Sequence, residues 1–228
     1  MAELISALRV ERVRANLAEI REQVDAAVRR SPVVRTAQRE HGVELLAAVK
    51  YVARDDLPLL AEAGVTLVGE NRAQELRSKH DAHGALFEWD FIGQLQSRRV
   101  KEIVPYARLI HSVASDSALR EIERHRALAR PDLRILIEVN VAGEAGKAGV
   151  EPQRLGELIA RSPVPVAGLM TMPPLTLEPD ASRRWFAALR ELADRHGLEH
   201  LSMGTSQDYL AAVEEGATIV RIGTRLYT

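Results

Sequence analysis

Glu44-Leu45-Leu46-Ala47-Ala48-Val49-Lys50-Tyr51-Val52 is the stretch whose reading decides the fold. From Leu45 to Val49 every position is apolar, odd and even alike, as in a strand buried on both faces of a parallel sheet. The run then passes into Val49-Lys50-Tyr51-Val52 without a glycine. A doubly wound nucleotide-binding sheet would carry a Gly-rich turn here, so that backbone could approach a pyrophosphate closely. The reading therefore favours a closed barrel of parallel strands.

The flanking sequence supports this. Upstream, Leu4, Leu8, Val13, Leu17, Ile20, Val24 and Val28 recur at helical spacing, predicting one long amphipathic helix that ends before Ser31-Pro32. Downstream, short apolar runs alternate with polar, periodic segments. With residues 44–50 they make eight expected strands, the others spanning 66–69, 88–93, 109–113, 133–141, 165–172, 200–204 and 218–223. Helices are expected over 54–63, 71–80, 115–129, 151–161, 179–196 and 206–216. Strands alternating with helices imply a parallel sheet, and eight such units in 228 residues match a compact TIM (β/α)8 barrel with an extra N-terminal helix. No Pro/Gly/Ser-rich linker divides the chain; Met172-Pro173-Pro174-Leu175 reads as a loop within it, so residues 1–228 are expected to form a single domain.

Composition narrows the function classes. A formal net charge of −1 gives no global attraction to nucleic acid or to an anionic membrane, and the Arg98-Arg99 and Arg183-Arg184 pairs read as solvated helix faces. Cysteine is absent, which excludes disulfides and thiolate chemistry and suits a reducing cytoplasm. The opening Met1-Ala2-Glu3-Leu4 leads into charged residues, and no apolar run approaches the ~20 residues of a membrane span. The protein is expected to begin near residue 1 and to be cytoplasmic.

In a barrel, chemistry sits where strands end. Lys50 is one of four lysines in a chain whose other cations are arginines, and it closes the first strand. Lysine differs from arginine in that burial readily yields a neutral amine, able to attack a carbonyl and form a Schiff base; the alternative is a lysine stem that snorkels to solvent. The seventh and eighth expected strands deliver Ser202-Met203-Gly204-Thr205-Ser206 and Arg221-Ile222-Gly223-Thr224. Barrels commonly bind phosphate with these loops, and the glycines, hydroxyls and helix N-terminus expected after Ser206 suit an anion. Ser206 as a plain N-cap and Gly223 as a plain turn are the structural alternatives. An imine-forming lysine facing a phosphate cradle is the layout for pyridoxal 5'-phosphate.

His80 with His83, and His196 with His200, have metal-like spacing but no carboxylates in a zinc pattern, and Gly197 interrupts the second pair, so no metal is expected. His111 reads as a core histidine at a strand end, with a place behind the site as its alternative. Lys147 reads as solvated.

Seven segments in order, Ala48-Val49-Lys50, Gly69-Glu70-Asn71-Arg72-Ala73-Gln74-Glu75, Phe91-Ile92-Gly93-Gln94-Leu95-Gln96-Ser97, Ile137-Glu138-Val139-Asn140, Gly168-Leu169-Met170, residues 201–208 and residues 220–224, resemble the pyridoxal phosphate homeostasis protein family. The resemblance runs from about residue 5 to the C-terminus. It implies a fold-type III barrel, like the N-terminal domain of alanine racemase, with pyridoxal 5'-phosphate held through Lys50. It also implies Arg221 at the pyridine nitrogen, Ser202, Gly204, Ser206, Gly223 and Thr224 around the phosphate, and Asn71 and Met203 among the cofactor-binding residues. The family is regarded as a non-enzymatic carrier and regulator of the cofactor, which implies contact with amino acids and transient contact with recipient apoenzymes; a monomer is expected. An amino-acid racemase on the same barrel is the alternative. Asp90 stands where the family commonly has histidine, Thr205 where it has methionine, and Gly146-Lys147-Ala148-Gly149 replaces a Ser-Lys-Ser-Gly loop.

Overall fold

The computed structural model describes residues 5, 8–174, 176 and 178–228. Leu4 and Leu175, expected in the first helix and in a loop, lie outside them. Eight strands, β1 (Glu44–Ala48), β2 (Leu67–Glu70), β3 (Glu88–Phe91), β4 (Leu109–Val113), β5 (Arg134–Glu138), β6 (Val166–Met170), β7 (His200–Thr205) and β8 (Ile219–Ile222), follow one another around a closed barrel. Every pairing is parallel, and the seam is sealed by β1 against β8, with Leu46 opposite Arg221 and Ala47 opposite Ile222.

Helices cover the outside. They are α1 (Val10–Arg30), α2 (Thr36–His41), α3 (Leu57–Glu62), α4 (Ala73–His83), α5 (Val100–Ile103), α6 (Asp116–Arg124), α7 (Leu155–Ala160), α8 (Arg183–Arg195), α9 (Tyr209–Glu214) and α10 (Thr224–Tyr227). The extra helix α1 begins at Val10, later than the periodicity suggests, and Leu8 packs on the core from the coil before it. Its buried stripe of Val13, Leu17, Ile20, Val24 and Ala27 lies against α3, α9 and α10. The Asn16 amide ties it to the carbonyls of Leu226, at 3.1 Å, and Thr228, at 2.9 Å.

Several expected elements are shorter in the structure. Residues 139–141 prolong the apolar run of β5 but leave the sheet, Val139 keeping one parallel bridge to Val150. The helix expected from Ser206 starts at Tyr209, because Asp208 occupies the N-cap position. The short α2, α5 and α10 were not expected: they have too few residues to show a period.

Inside the barrel the two ends differ in chemistry. Leu46, Leu67, Leu109, Leu136, Met170 and Ile219 form a separate buried apolar cluster. The polar groups Asp90, His111, Ser202 and Arg221 are buried with it, on β3, β4, β7 and β8. Buried polar groups are costly unless hydrogen-bonded, so their partners decide what they do.

Candidate functional site

Lys50 lies two residues beyond the end of β1 and is exposed, its Nζ 4.6 Å from the centre of the Tyr51 ring. The expected burial is therefore not the device that prepares this amine. The backbone turns early: the Val49 N–H makes a last sheet-like bond to Gly69 at 3.0 Å, and the Val52 N–H folds back onto the Val49 carbonyl at 3.1 Å. Beneath this turn sits an ion pair that the sequence reading did not anticipate. Lys79, from α4, donates to Glu70 at 2.6 Å and to the Val49 carbonyl at 2.7 Å, and both side chains are almost completely buried. The other Glu70 oxygen accepts from the Asn71 and Arg72 amides at 2.6 and 3.2 Å. Tyr227 adds a bond to the Ala48 carbonyl at 3.2 Å, and burial, then the Glu70 charge, push its phenol well above its ordinary range.

Across the rim, Arg221 is 6% exposed. One terminal nitrogen donates to the Ser202 carbonyl at 2.8 Å and to the Ser202 hydroxyl at 2.6 Å. The other donates to the Thr171 carbonyl at 3.0 Å and to the Met172 sulfur at 2.8 Å. A guanidinium has five N–H groups, so among the described residues Nε–H is left without a partner. Burial pulls this arginine down to about 10 while Glu138 and Asp208 hold it up, and it stays charged at neutral pH. Glu138, at the end of β5, is itself pushed upward by burial and drawn back by Arg221.

The loops after β7 and β8 meet beside them. Asp208 accepts from the Thr205 amide at 2.8 Å and its hydroxyl at 3.1 Å, pinning the first loop. The Gly223 amide donates to Ser206 Oγ at 3.1 Å, joining the two loops and leaving the Ser206 proton available. Gly204 has φ 88°, and a Cβ there would fall 2.5 Å from that of Ala212, so close packing of α9 is what requires this glycine.

One open cavity collects Lys50, Asn71, Ser206, Arg221, Gly223 and Thr224 of the expected site residues, with Tyr51, Thr205 and Tyr227. It does not collect Ser202, Met203 or Gly204. Ser202 is committed to Arg221 and His111 beneath the floor, Met203 is part of the apolar core, and Gly204 lines a smaller neighbouring recess. Asn71 Oδ1 is buried without a partner among the described residues, an acceptor in want of a donor. His80, whose spacing to His83 is metal-like, packs instead between Trp89 and Tyr106, with its ring tilted 56° and 55° to theirs.

A primary amine, a guanidinium and the Ser206 and Thr224 hydroxyls thus share one cavity on the rim of a closed parallel barrel. Residues 8–228 match the family described as Alanine racemase, N-terminal domain. Within it, the chain belongs to the pyridoxal phosphate homeostasis protein family: it is 42% identical over 204 residues to the pyridoxal phosphate homeostasis protein of Aquifex aeolicus, covering 85% of this chain and 90% of that one. PipY of Synechococcus elongatus, whose structure was solved with pyridoxal phosphate bound, is 29% identical with a TM-score of 0.77 over 95% of this chain and all of that one. Alanine racemase of Corynebacterium glutamicum, at 15% identity and a TM-score of 0.65, shares the fold alone, and this chain spans 63% of its length.

Proposed function

We propose that this chain binds pyridoxal 5'-phosphate at the rim described, with Lys50 as the attachment residue, and serves cofactor homeostasis as a carrier rather than a catalyst. The carrying observation is that one cavity brings Lys50, Arg221, Ser206 and Thr224 together from β1, β7 and β8. The cofactor supplies an aldehyde that a primary amine captures reversibly and a ring that can act as an electron sink. Lys50 supplies that amine, and Arg221 presents Nε–H toward the ring nitrogen. Ser206 and Thr224, with the backbone at Gly223, surround the phosphate, and Asn71 offers its unpaired oxygen. Ser202, Met203 and Gly204 support the site from beneath.

Two features favour carriage. A cation at the ring nitrogen opposes protonation there, which weakens the sink. Among the described residues that line the cavity there is no side-chain carboxylate and no imidazole; besides Lys50 the groups there able to move a proton are the Tyr51 and Tyr227 phenols, and Tyr227 is raised well above its ordinary range and bonded to the Ala48 carbonyl. The same reading has a cytoplasmic monomer exchanging cofactor with recipient apoenzymes and amino acids through the open mouth. It fits that no helix among the described residues is long and apolar enough to cross a membrane.

The test is a visible spectrum of protein incubated with the cofactor, followed by borohydride reduction and peptide mass spectrometry. The expected result is a pyridoxyl adduct on Lys50 that disappears in Lys50→Ala. An adduct on Lys147 or Lys101 overturns the attachment site. Racemisation of amino acids on the order of 1 per second or faster overturns the carrier role in favour of a racemase.

A further inference from the structure

We propose that Asp90 and His111 are positioning residues: acting through Ser202, they aim the uncommitted N–H of Arg221 at the ring held by the rim. The ring belongs to the function proposed above; the hydrogen-bond chain stands without it. Its four members are buried, and its links are 2.6 Å from Arg221 to Ser202 Oγ, 2.8 Å from Ser202 Oγ to His111 Nδ1 and 3.1 Å from His111 Nε2 to Asp90 Oδ2. Arg108, at the opposite end of the barrel, then holds Asp90 with two bonds, of 3.0 and 2.9 Å, and reaches Glu44 with two more.

Arg221 can only donate, so Ser202 Oγ accepts from it, and the Asp90 carboxylate accepts from Arg108 and from His111 Nε2–H. With the imidazole neutral, Nδ1 is bare and accepts the Ser202 hydroxyl proton, so one donor direction runs through the chain. The one acceptor-only group, the Asp90 carboxylate, must then lie between the two arginines, as it does. The charged groups facing His111 are Asp90 on β3, Arg108 before β4 and Arg221 on β8. Burial lowers the imidazole, and the two arginines together with it outweigh the pull of Asp90. Burial raises the Asp90 carboxyl, but the bonds from His111 and Arg108 overcome this and hold it below its ordinary value. Among the described residues no carboxylate hydrogen-bonds Arg221, whose charge is held up at longer range by Glu138 and Asp208; the chain therefore acts on its direction, and with the carbonyls of Ser202 and Thr171 it leaves the guanidinium one orientation.

Two measurements separate this proposal from the function it builds on. In the cofactor-free protein, imidazole nitrogen shifts are expected to show His111 neutral and protonated on Nε2 at about pH 7.5, charging only at a lower pH than an ordinary histidine. A proton on Nδ1, or titration at or above the ordinary histidine value, overturns the chain. In protein loaded with pyridoxal phosphate, Ser202→Ala and His111→Phe are each expected to weaken cofactor binding about tenfold, the worth of one hydrogen bond to a charged group, and to displace its visible absorbance maximum. The double variant is expected to be no worse than the weaker single one, because a chain cut once is already cut. Additive losses, or an unmoved spectrum in variants that keep their circular dichroism, overturn the positioning role. If His111→Phe does not fold, Asp90→Asn takes its place in the cycle. Failure of the unaltered protein to take up cofactor refutes the proposed function and leaves the nitrogen shifts to judge the chain.

Discussion

Lys79 and Glu70 carry more of the site than their distance from solvent suggests. They touch no ligand position, yet the ammonium holds the carbonyl of the residue before Lys50 and the carboxylate holds the amides of Asn71 and Arg72. Taking one partner away strands a buried charge, which costs ~3–5 kcal/mol. Lys79→Met is therefore expected to lower the urea midpoint sharply and slow trapping of cofactor on Lys50. The Glu70→Gln/Lys79→Met double variant should recover much of the stability, since glutamine still accepts from the two amides. Denaturant titration of the three proteins checks this; a double variant as unstable as Lys79→Met would locate the loss elsewhere. Lys79 was not legible in the sequence as a buried group, because a lysine among Arg77, Ser78 and His80 has the surroundings of an exposed helix face.

At the scale of elements, the alternation of strand and helix was readable because each strand is apolar on both faces and each long helix has a stripe. What periodicity could not supply is where an element stops. Val49 and Val139 are as apolar as the strands they follow, and only the bond directions show that the sheet has ended. Likewise Asp208, not Ser206, opens α9, because the Thr205 amide and hydroxyl converge on its carboxylate. The packing of α9 against β7 depends on Gly204, where φ is 88° and an added Cβ would fall 2.5 Å from that of Ala212. Gly204→Ala is expected to cost about 1–3 kcal/mol from backbone strain alone and to expose α9 amides first. Hydrogen exchange read by mass spectrometry tests this, with uniform protection across α9 and the other helices as the contrary result.

At the scale of the whole molecule, the cavity residues were legible as strand ends, whereas the buried chain below them was not. Asp90 gave a hint, as a charge between the buried Trp89 and Phe91, but its partners His111 and Arg108 come from the following strand and the residue before it, and Ser202, across the barrel, reaches it only through His111. These groups set the acid response. His111 and His200 both fall below their ordinary value of 6.5, chiefly through burial. A histidine depressed in the folded state contributes stability that is complete above its unfolded value and is lost as the pH falls below it. The depressed Asp90 carboxyl extends the loss to lower pH. Urea midpoints are thus expected to fall on going from about pH 7.5 to pH 5.5, through the range where histidine charges, in a single cooperative transition if residues 1–228 are one domain. A midpoint that rises on acidification would contradict the buried, neutral state of these rings.

The seam between β1 and β8 sets Leu46 opposite Arg221, so the amine and the guanidinium stand on adjacent staves although most of the chain separates them. A nascent polypeptide has made Lys50 long before Arg221 exists, so the pair is assembled only when the first strand closes against the last. On the function proposed above, a chain stopped before β8 has the amine without the guanidinium.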